Sequence, residues 1–152
     1  MRSTISFFVL ITIFVMGISN FSYSQSGDLY DSGTVWSCTF IRTGANVTDD
    51  YLKGLKNTWD ATMKEAVKAG IVKSYKILLG NAANQEDFNL ILMIENENMA
   101  SFDPNPTRKA KMDEIEKKIS ENMKGEFEKT VSNYENIRQL LGTKLMREIK
   151  LK

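Results

Sequence analysis

The chain contains no histidine and a single cysteine, Cys38, among its 152 residues. The lack of histidine excludes Ser-His-Asp and Cys-His catalysis, histidine-bearing zinc or iron sites and a histidine-ligated haem. One cysteine cannot form an intramolecular disulfide or a cysteine-cluster metal site. Because Cys38 lies in the apolar run from Val35 to Ile41, we expect a buried core thiol, with a reactive or intermolecular thiol as the alternative. The sequence predicts no metal and no other cofactor.

An excess of charge of one sign is also missing, since Lys and Arg total 20 and Asp and Glu total 19. Proteins that bind nucleic acid concentrate Lys and Arg to neutralise phosphates, so we expect no nucleic-acid partner. The composition, 42% hydrophobic and 26% charged, is that of a globular protein, and the length favours one domain.

The N-terminus has the three parts of a secretory signal peptide. Arg2 precedes an apolar run from Ile5 to Ile18, and the small residues Ser22 and Ser24 follow. We therefore predict that residues 1–24 are cleaved and that the protein is exported, to a periplasm or outside the cell, with no membrane association afterwards. The alternative is an uncleaved anchor, because the apolar stretch approaches the ~20 residues that span a bilayer.

Beyond the predicted cleavage site, residues 25–33 are polar and are expected to form a flexible leader, and residues 34–152 are expected to form the folded domain. Strands are predicted over residues 34–42, 71–79, 88–94 and 143–151, and residues 138–142 are predicted to form a turn. Thr48 is expected to cap a helix that Gly70 ends. A second helical stretch covers residues 107–136, where Gly125 allows one helix or two.

Each predicted helix has an apolar stripe with spacings of three and four residues. The first stripe consists of Leu52, Leu55, Trp59, Met63 and Ala66. The second consists of Met112, Ile115, Ile119, Met123 and Phe127.

The element order predicts an α+β fold, the ferredoxin-like βαββαβ sandwich, in which a four-stranded antiparallel sheet carries its helices on one face. If the second face were solvated, polar residues should occupy it and alternate along each strand with the apolar residues of the core face. Instead, the first strand has Trp36, Cys38 and Phe40 on one side and Val35 and Ile41 on the other, and the third strand is apolar on both sides. We therefore expect a second copy of the chain to cover this face, in a homodimer that buries on the order of 2,000 Å².

The element order, the strand after Gly70 and the closing segment Gly142–Ile149 resemble the dimeric α/β-barrel superfamily. This group includes antibiotic-biosynthesis-type monooxygenases, haem-degrading enzymes, stress-responsive barrel proteins and NIPSNAP-like proteins. The resemblance covers residues 34–151. It implies a homodimeric barrel with a pocket between sheet and helices. Members that handle haem use a histidine, which this chain lacks.

Four large aromatic residues could line such a pocket: Trp36, Phe40, Trp59 and Tyr75. Trp59 lies in the first helical stripe, so simple core packing is the alternative for it. Tyr75 lies among apolar strand residues, where its hydroxyl needs a partner.

Two arginines are further candidates for ligand binding. Arg147 interrupts the apolar positions Leu145 and Ile149, and a guanidinium carried to an apolar face needs a carboxylate or an anionic ligand. An internal salt bridge, or a side chain that reaches water, is the alternative. Arg42, at the end of the first strand, could lie beside the last strand and supply a second guanidinium.

These features predict an exported homodimer that binds a small apolar or anionic ligand or serves an interaction role. The alternative is a cofactor-independent monooxygenase-like or isomerase-like enzyme, in which Tyr75 and Arg147 orient the substrate. A structural surface or envelope protein, which needs no cavity, is a third possibility.

Overall fold

The computed structural model describes residues 29–44 and 46–152. The predicted signal peptide and residues 25–28 of the predicted leader lie outside these described residues. No helix in the described ranges is both long enough and apolar enough to cross a membrane. Residues 32–150 form one compact unit. The described chain ends are grouped separately, and there the Lys152 amide donates to the Leu29 carbonyl (3.1 Å) while the Lys152 ammonium lies 3.2 Å from Asp31.

Four strands, three helical segments and a short 3₁₀ helix make up the described fold. The strands are β1 (Tyr30–Thr43), β2 (Ser74–Leu79), β3 (Leu90–Asn96) and β4 (Arg138–Leu151). The first helical segment is continuous and comprises α1 (Thr48–Leu55), a π-helical stretch (Lys56–Asp60) and α2 (Ala61–Lys68). A 3₁₀ helix (Met99–Phe102) leads to α3 (Pro106–Asn122) and α4 (Glu126–Ile137).

The strands form one antiparallel sheet in the order β2-β3-β1-β4. Since β3 lies between β1 and β2, the first helical segment crosses over β3 to join its two neighbours. This α+β architecture is consistent with the predicted ferredoxin-like fold.

One face of the sheet and the helices enclose the core. Ile41, Leu90 and Leu92 of the sheet pack with Tyr51 and Leu55 of α1 and with Tyr134 of α4 in a single buried cluster. The register places Ile41 opposite Leu90, as expected for residues that share a face. Helices α1 and α4 are therefore held to the sheet mainly by apolar burial.

The first helical segment follows the prediction except at its start. Val47 is the N-cap, without a side-chain cap, and Thr48 is the first helical residue. The Thr48 hydroxyl instead lies 2.7 Å from the Thr43 hydroxyl, so it joins the helix to β1. At the other end Gly70 has φ +67°, and the Ile71 amide donates to the Ala66 carbonyl. This is a Schellman ending, which confirms Gly70 as the stop.

The second helical stretch is two helices. Lys124 and Gly125 both have positive φ, +50° and +85°, and this turn separates α3 from α4. The predicted stripe is only half-buried, because α3 covers the first helical segment at the surface and has no fully buried residue. The buried residue of α4 is Tyr134, which the stripe did not include.

Strand boundaries differ from the prediction where neighbouring groups compete for the backbone. β1 begins at Tyr30, so Tyr30–Gly33 of the predicted leader belong to a strand. β2 begins only at Ser74, since the Ile71 amide is engaged by the helix end. β3 begins at Leu90 instead of residue 88, because the Phe88 amide is taken by the Asp87 carboxylate.

The prediction of a turn at residues 138–142 is wrong. β4 starts at Arg138, directly after α4, and the Gly44 amide donates to the Ile137 carbonyl at the start of the ladder. No loop is needed, because Arg138 already has an extended backbone. Gly142 has φ +147°, a conformation that glycine adopts inside the strand without strain.

The sheet face opposite the core, here called the open face, is assigned from the register and from side-chain contacts. In β4, the Lys144 ammonium lies 5.8 Å from the Phe40 ring, and Glu148 accepts a hydrogen bond from Thr34 (3.3 Å). Met146, midway between them, shares their face, and Leu145 lies on the other. The open face carries Trp36, Cys38, Phe40, Ser74, Lys76, Leu78, Ile91, Met93, Glu95, Lys144, Met146 and Glu148.

Candidate functional site

A groove of about 560 Å³ opens between the core side of the sheet and the N-terminus of α3. We call it the α3 groove. Its size is within the ~300–1,000 Å³ typical of small-molecule sites. Its lining consists of Ser37, Ile71, Val72, Ile94, Asn96, Phe102, Asp103, Pro104, Asn105, Pro106, Arg108, Lys109 and Met112.

Helix ends fix the walls of the α3 groove. The Schellman ending at Gly70 turns the chain so that Ile71 and Val72 form one wall. On the opposite wall, the Asn105 side chain caps α3 by accepting the Arg108 amide at 2.9 Å, and proline follows at the first helical position. This arrangement favours a sharp, rigid helix start.

Polar groups in the groove are few. Asn96 is buried, and its amide donates to the Ile94 carbonyl at 3.3 Å. Arg108 is half-buried as a residue, and its exposed guanidinium hydrogen bond goes to the Asp103 carbonyl at 2.7 Å. The groove therefore combines apolar walls with a positive charge whose hydrogen-bond partner is neutral.

Tyr75 and Trp59, two of the predicted pocket residues, lie together on the core side of the sheet. Their rings meet edge-to-face with centroids 5.4 Å apart. The Tyr75 hydroxyl donates to Asp60 at 2.6 Å, which is the partner that the sequence required. Burial, with this hydrogen bond, raises the pKa of Tyr75 to about 12. The phenol is thus neutral near neutral pH and cannot serve as a base there.

The Asp60 carboxylate also pairs with Lys64 at 2.7 Å. Burial opposes its ionisation, but the hydrogen bonds from Lys64 and Tyr75 outweigh burial and lower its pKa. This cluster has the contacts of a structural clamp between β2 and the π-helical stretch. The enzyme alternative stays a prediction.

Trp36 and Phe40 lie on the open face and so are separated from Trp59 and Tyr75 by the sheet. The Lys76 ammonium lies 4.7 Å from the centre of the Trp36 ring, and Phe40 packs against Phe88 with centroids 4.9 Å apart. Arg42, at the end of β1, is half-buried. The six predicted residues therefore do not line one pocket in a single chain.

Arg147 is exposed and donates to the Gly33 carbonyl at 3.3 Å. The expected pairing with a carboxylate is not found within the described residues. The physical reason is that all of β4 beyond Arg138 is exposed, so the guanidinium stays hydrated.

The residues that sequence reasoning missed are Arg108 in the groove and Arg138 beside the core. Arg138 donates to the Tyr51 hydroxyl at 2.7 Å and lies 4.8 Å from the centre of the Tyr134 ring. Asn105-Pro106, a cap followed by proline, marks a helix start and was the available signal for Arg108. In the described part of the chain, no group of three or more His, Cys, Asp or Glu side chains could hold a metal ion.

No protein-family model, curated protein or solved structure matches the chain.

Proposed function

We propose that the protein is an exported, homodimeric small-ligand-binding protein of the dimeric α/β-barrel type. In this proposal the open faces of two copies pack together, and each copy takes a ligand in its α3 groove. The observation that carries the proposal is the apolar character of the open face.

Exposure on the open face is high for large apolar side chains. Leu78 is 48% exposed and Met146 is 53% exposed, and Trp36, Phe40 and Met93 are half-buried. Large apolar side chains exposed on one face are typical of an interaction surface. Covering it with a second sheet would remove apolar area from water at ~25 cal/mol per Å².

The charges of the open face favour a second copy as the partner. Lys76 and Lys144 lie on the same face as Glu95 and Glu148, and the Ser74 hydrogen bond lowers the pKa of Glu95, which keeps it ionised. A two-fold interface brings the same patch together with itself, so it needs both signs of charge. An interface of on the order of 2,000 Å² is expected of an obligate dimer.

A pair of neighbouring residues in β4 tests the dimer. Met146 is on the open face and is 53% exposed, and Leu145 is on the opposite face and is 44% exposed. Protein expressed from the full sequence is analysed by gel filtration with light scattering. We expect a dimer for the wild type, dissociation for Met146→Lys, and a retained dimer for Leu145→Lys.

Both β4 variants place a lysine at a position that is already exposed in one chain, so neither should unfold the monomer. Circular dichroism checks this. A wild-type monomer, or equal dissociation by both substitutions, would contradict packing through the open face.

Export is tested separately by mass spectrometry and N-terminal sequencing of the protein recovered outside the cytoplasm. The signal-peptide proposal predicts a mature chain that starts at Gln25. An intact N-terminus in the membrane fraction would support the uncleaved anchor instead.

A further inference from the structure

We infer that the α3 groove binds an anionic amphiphile, a single alkyl chain that ends in a carboxylate, with the chain on the apolar walls and the carboxylate at Arg108. This inference deepens the proposed function, since it names the ligand class for the site proposed there.

The first argument is the character of the groove walls. Ile71, Val72, Ile94, Phe102 and Met112 present aliphatic, aromatic and thioether side chains to about 560 Å³ of space. Phe102 is 39% exposed although it is a large aromatic residue. Walls of this composition favour a flexible apolar chain over a polar or strongly hydrogen-bonding ligand.

The second argument is the charge of Arg108. Arg108 is half-buried as a residue, and its guanidinium donates to the neutral Asp103 carbonyl in an exposed hydrogen bond. Among the described residues, Arg108 takes part in no ion pair. A guanidinium without a charged partner gains most from a planar carboxylate, which can accept two parallel N–H donors.

The other charged groups of the groove do not replace that carboxylate. The Lys109 ammonium is engaged by Asp113 at 2.6 Å, in a pair that is largely exposed. Asp103, which also lines the groove, is exposed, so water screens its charge. Arg108 is thus the cation best placed for a ligand head group.

The test is isothermal titration calorimetry with three probes that share a ten-carbon chain: decanoate, decan-1-ol and decyltrimethylammonium. Protein expressed from the full sequence is used. We expect decanoate to bind about tenfold or more tightly than the alcohol, because a hydrogen bond to a charged group contributes at least that factor. The cationic probe should bind most weakly.

Substitutions then show which residues of the groove contribute to binding of the probes. Arg108→Gln should weaken decanoate binding about tenfold and leave decanol unchanged. Arg147→Gln removes the same charge outside the groove and should change neither. Phe102→Ala should weaken both decanoate and decanol, since it removes apolar wall.

Several results would overturn the inference: no binding of decanoate, equal binding of decanoate and decanol, tighter binding of the cationic probe, or the same effect from Arg147→Gln as from Arg108→Gln. Light scattering on the same samples reports whether the protein is a dimer. It therefore distinguishes a failure of the ligand-class inference from a failure of the proposed function. A dimer that ignores decanoate refutes only the ligand class, and a monomer that binds decanoate refutes only the dimer.

Discussion

Gly54 of α1 lies directly against α4. A Cβ at this position would lie 2.9 Å from the Thr130 methyl group and 3.0 Å from the Tyr134 ring. The ring cannot easily move away, because its hydroxyl lies 2.6 Å from the Thr58 hydroxyl and it meets the Tyr51 ring in a T-shaped contact with centroids 5.0 Å apart. Gly54→Ala should therefore destabilise the protein.

Two opposing effects determine how far Gly54→Ala lowers the free energy of unfolding. Alanine in a helix interior is favoured over glycine by ~1 kcal/mol. Overpacking a well-packed site costs ~1–3 kcal/mol. Since one of the two contacts is with a ring that is anchored on several sides, the upper part of that range applies. We expect the free energy of unfolding to fall by about 1–2 kcal/mol.

Urea denaturation followed by circular dichroism measures the change. Gly80→Ala is the matched control, because nothing lies within 4 Å of a Cβ there, and it should be neutral or slightly stabilising. Thr130→Ser removes the nearer clashing methyl group, so the double variant with Gly54→Ala should regain part of the loss. If Gly54→Ala instead stabilises the protein by ~1 kcal/mol, as propensity alone predicts, the close helix approach is wrong.

Three further predictions concern buried polar groups. Tyr134→Phe removes the hydroxyl next to Thr58, and the Thr58 hydroxyl keeps its own hydrogen bond to the Gly54 carbonyl. Urea titration should therefore show that the free energy of unfolding falls by about 1 kcal/mol. An unchanged midpoint would show that the hydrogen bond between Tyr134 and Thr58 contributes nothing. The pKa of Asp60 is lowered in the folded protein. Its carboxylate therefore stabilises the fold at pH values above the unfolded-state pKa of ~3.9. This contribution is lost as the pH falls through the lower folded-state pKa. The stability gap between wild type and Asp60→Asn should thus be largest near neutral pH and close in acid, and a gap independent of pH would argue against the clamp. Cys38 is 3% exposed and burial raises the pKa of its thiol, so it should react with dithionitrobenzoate slowly when native and rapidly in denaturant; rapid native labelling would contradict its burial.

Much of the fold could be predicted from hydrophobic periodicity. Leu55, Met63 and Ala66 of the first stripe are buried as expected, and Cys38 is a buried thiol. The π-helical stretch adds an irregularity that the stripe could not anticipate, and Tyr51 is fully buried although it lies off the stripe. Its burial depends on Tyr134 and Arg138, residues distant in sequence, so tertiary contacts outweigh the local pattern.

The candidate site was less predictable, because a groove depends on how loops meet and not on periodicity. The sequence placed an arginine needing an anion at Arg147, between apolar strand residues. In the structure Arg147 is exposed, whereas Arg108, in a charged helix sequence, lines the groove. Alternation shows which face of a strand a residue occupies, but not whether another element covers that face.

Because β4 follows α4 without a loop, the position of Arg138 sets the register of the whole strand β4. Arg138 is held by the Tyr51 hydroxyl and by the rings of Tyr51 and Tyr134, and no loop follows in which a length change could be absorbed. Inserting a single amino acid after Ile137 would turn Met146 inward and Leu145 outward. Natural variants of this chain should accordingly keep the distance between α4 and Met146 constant, while tolerating changes of length in the connector between β2 and β3.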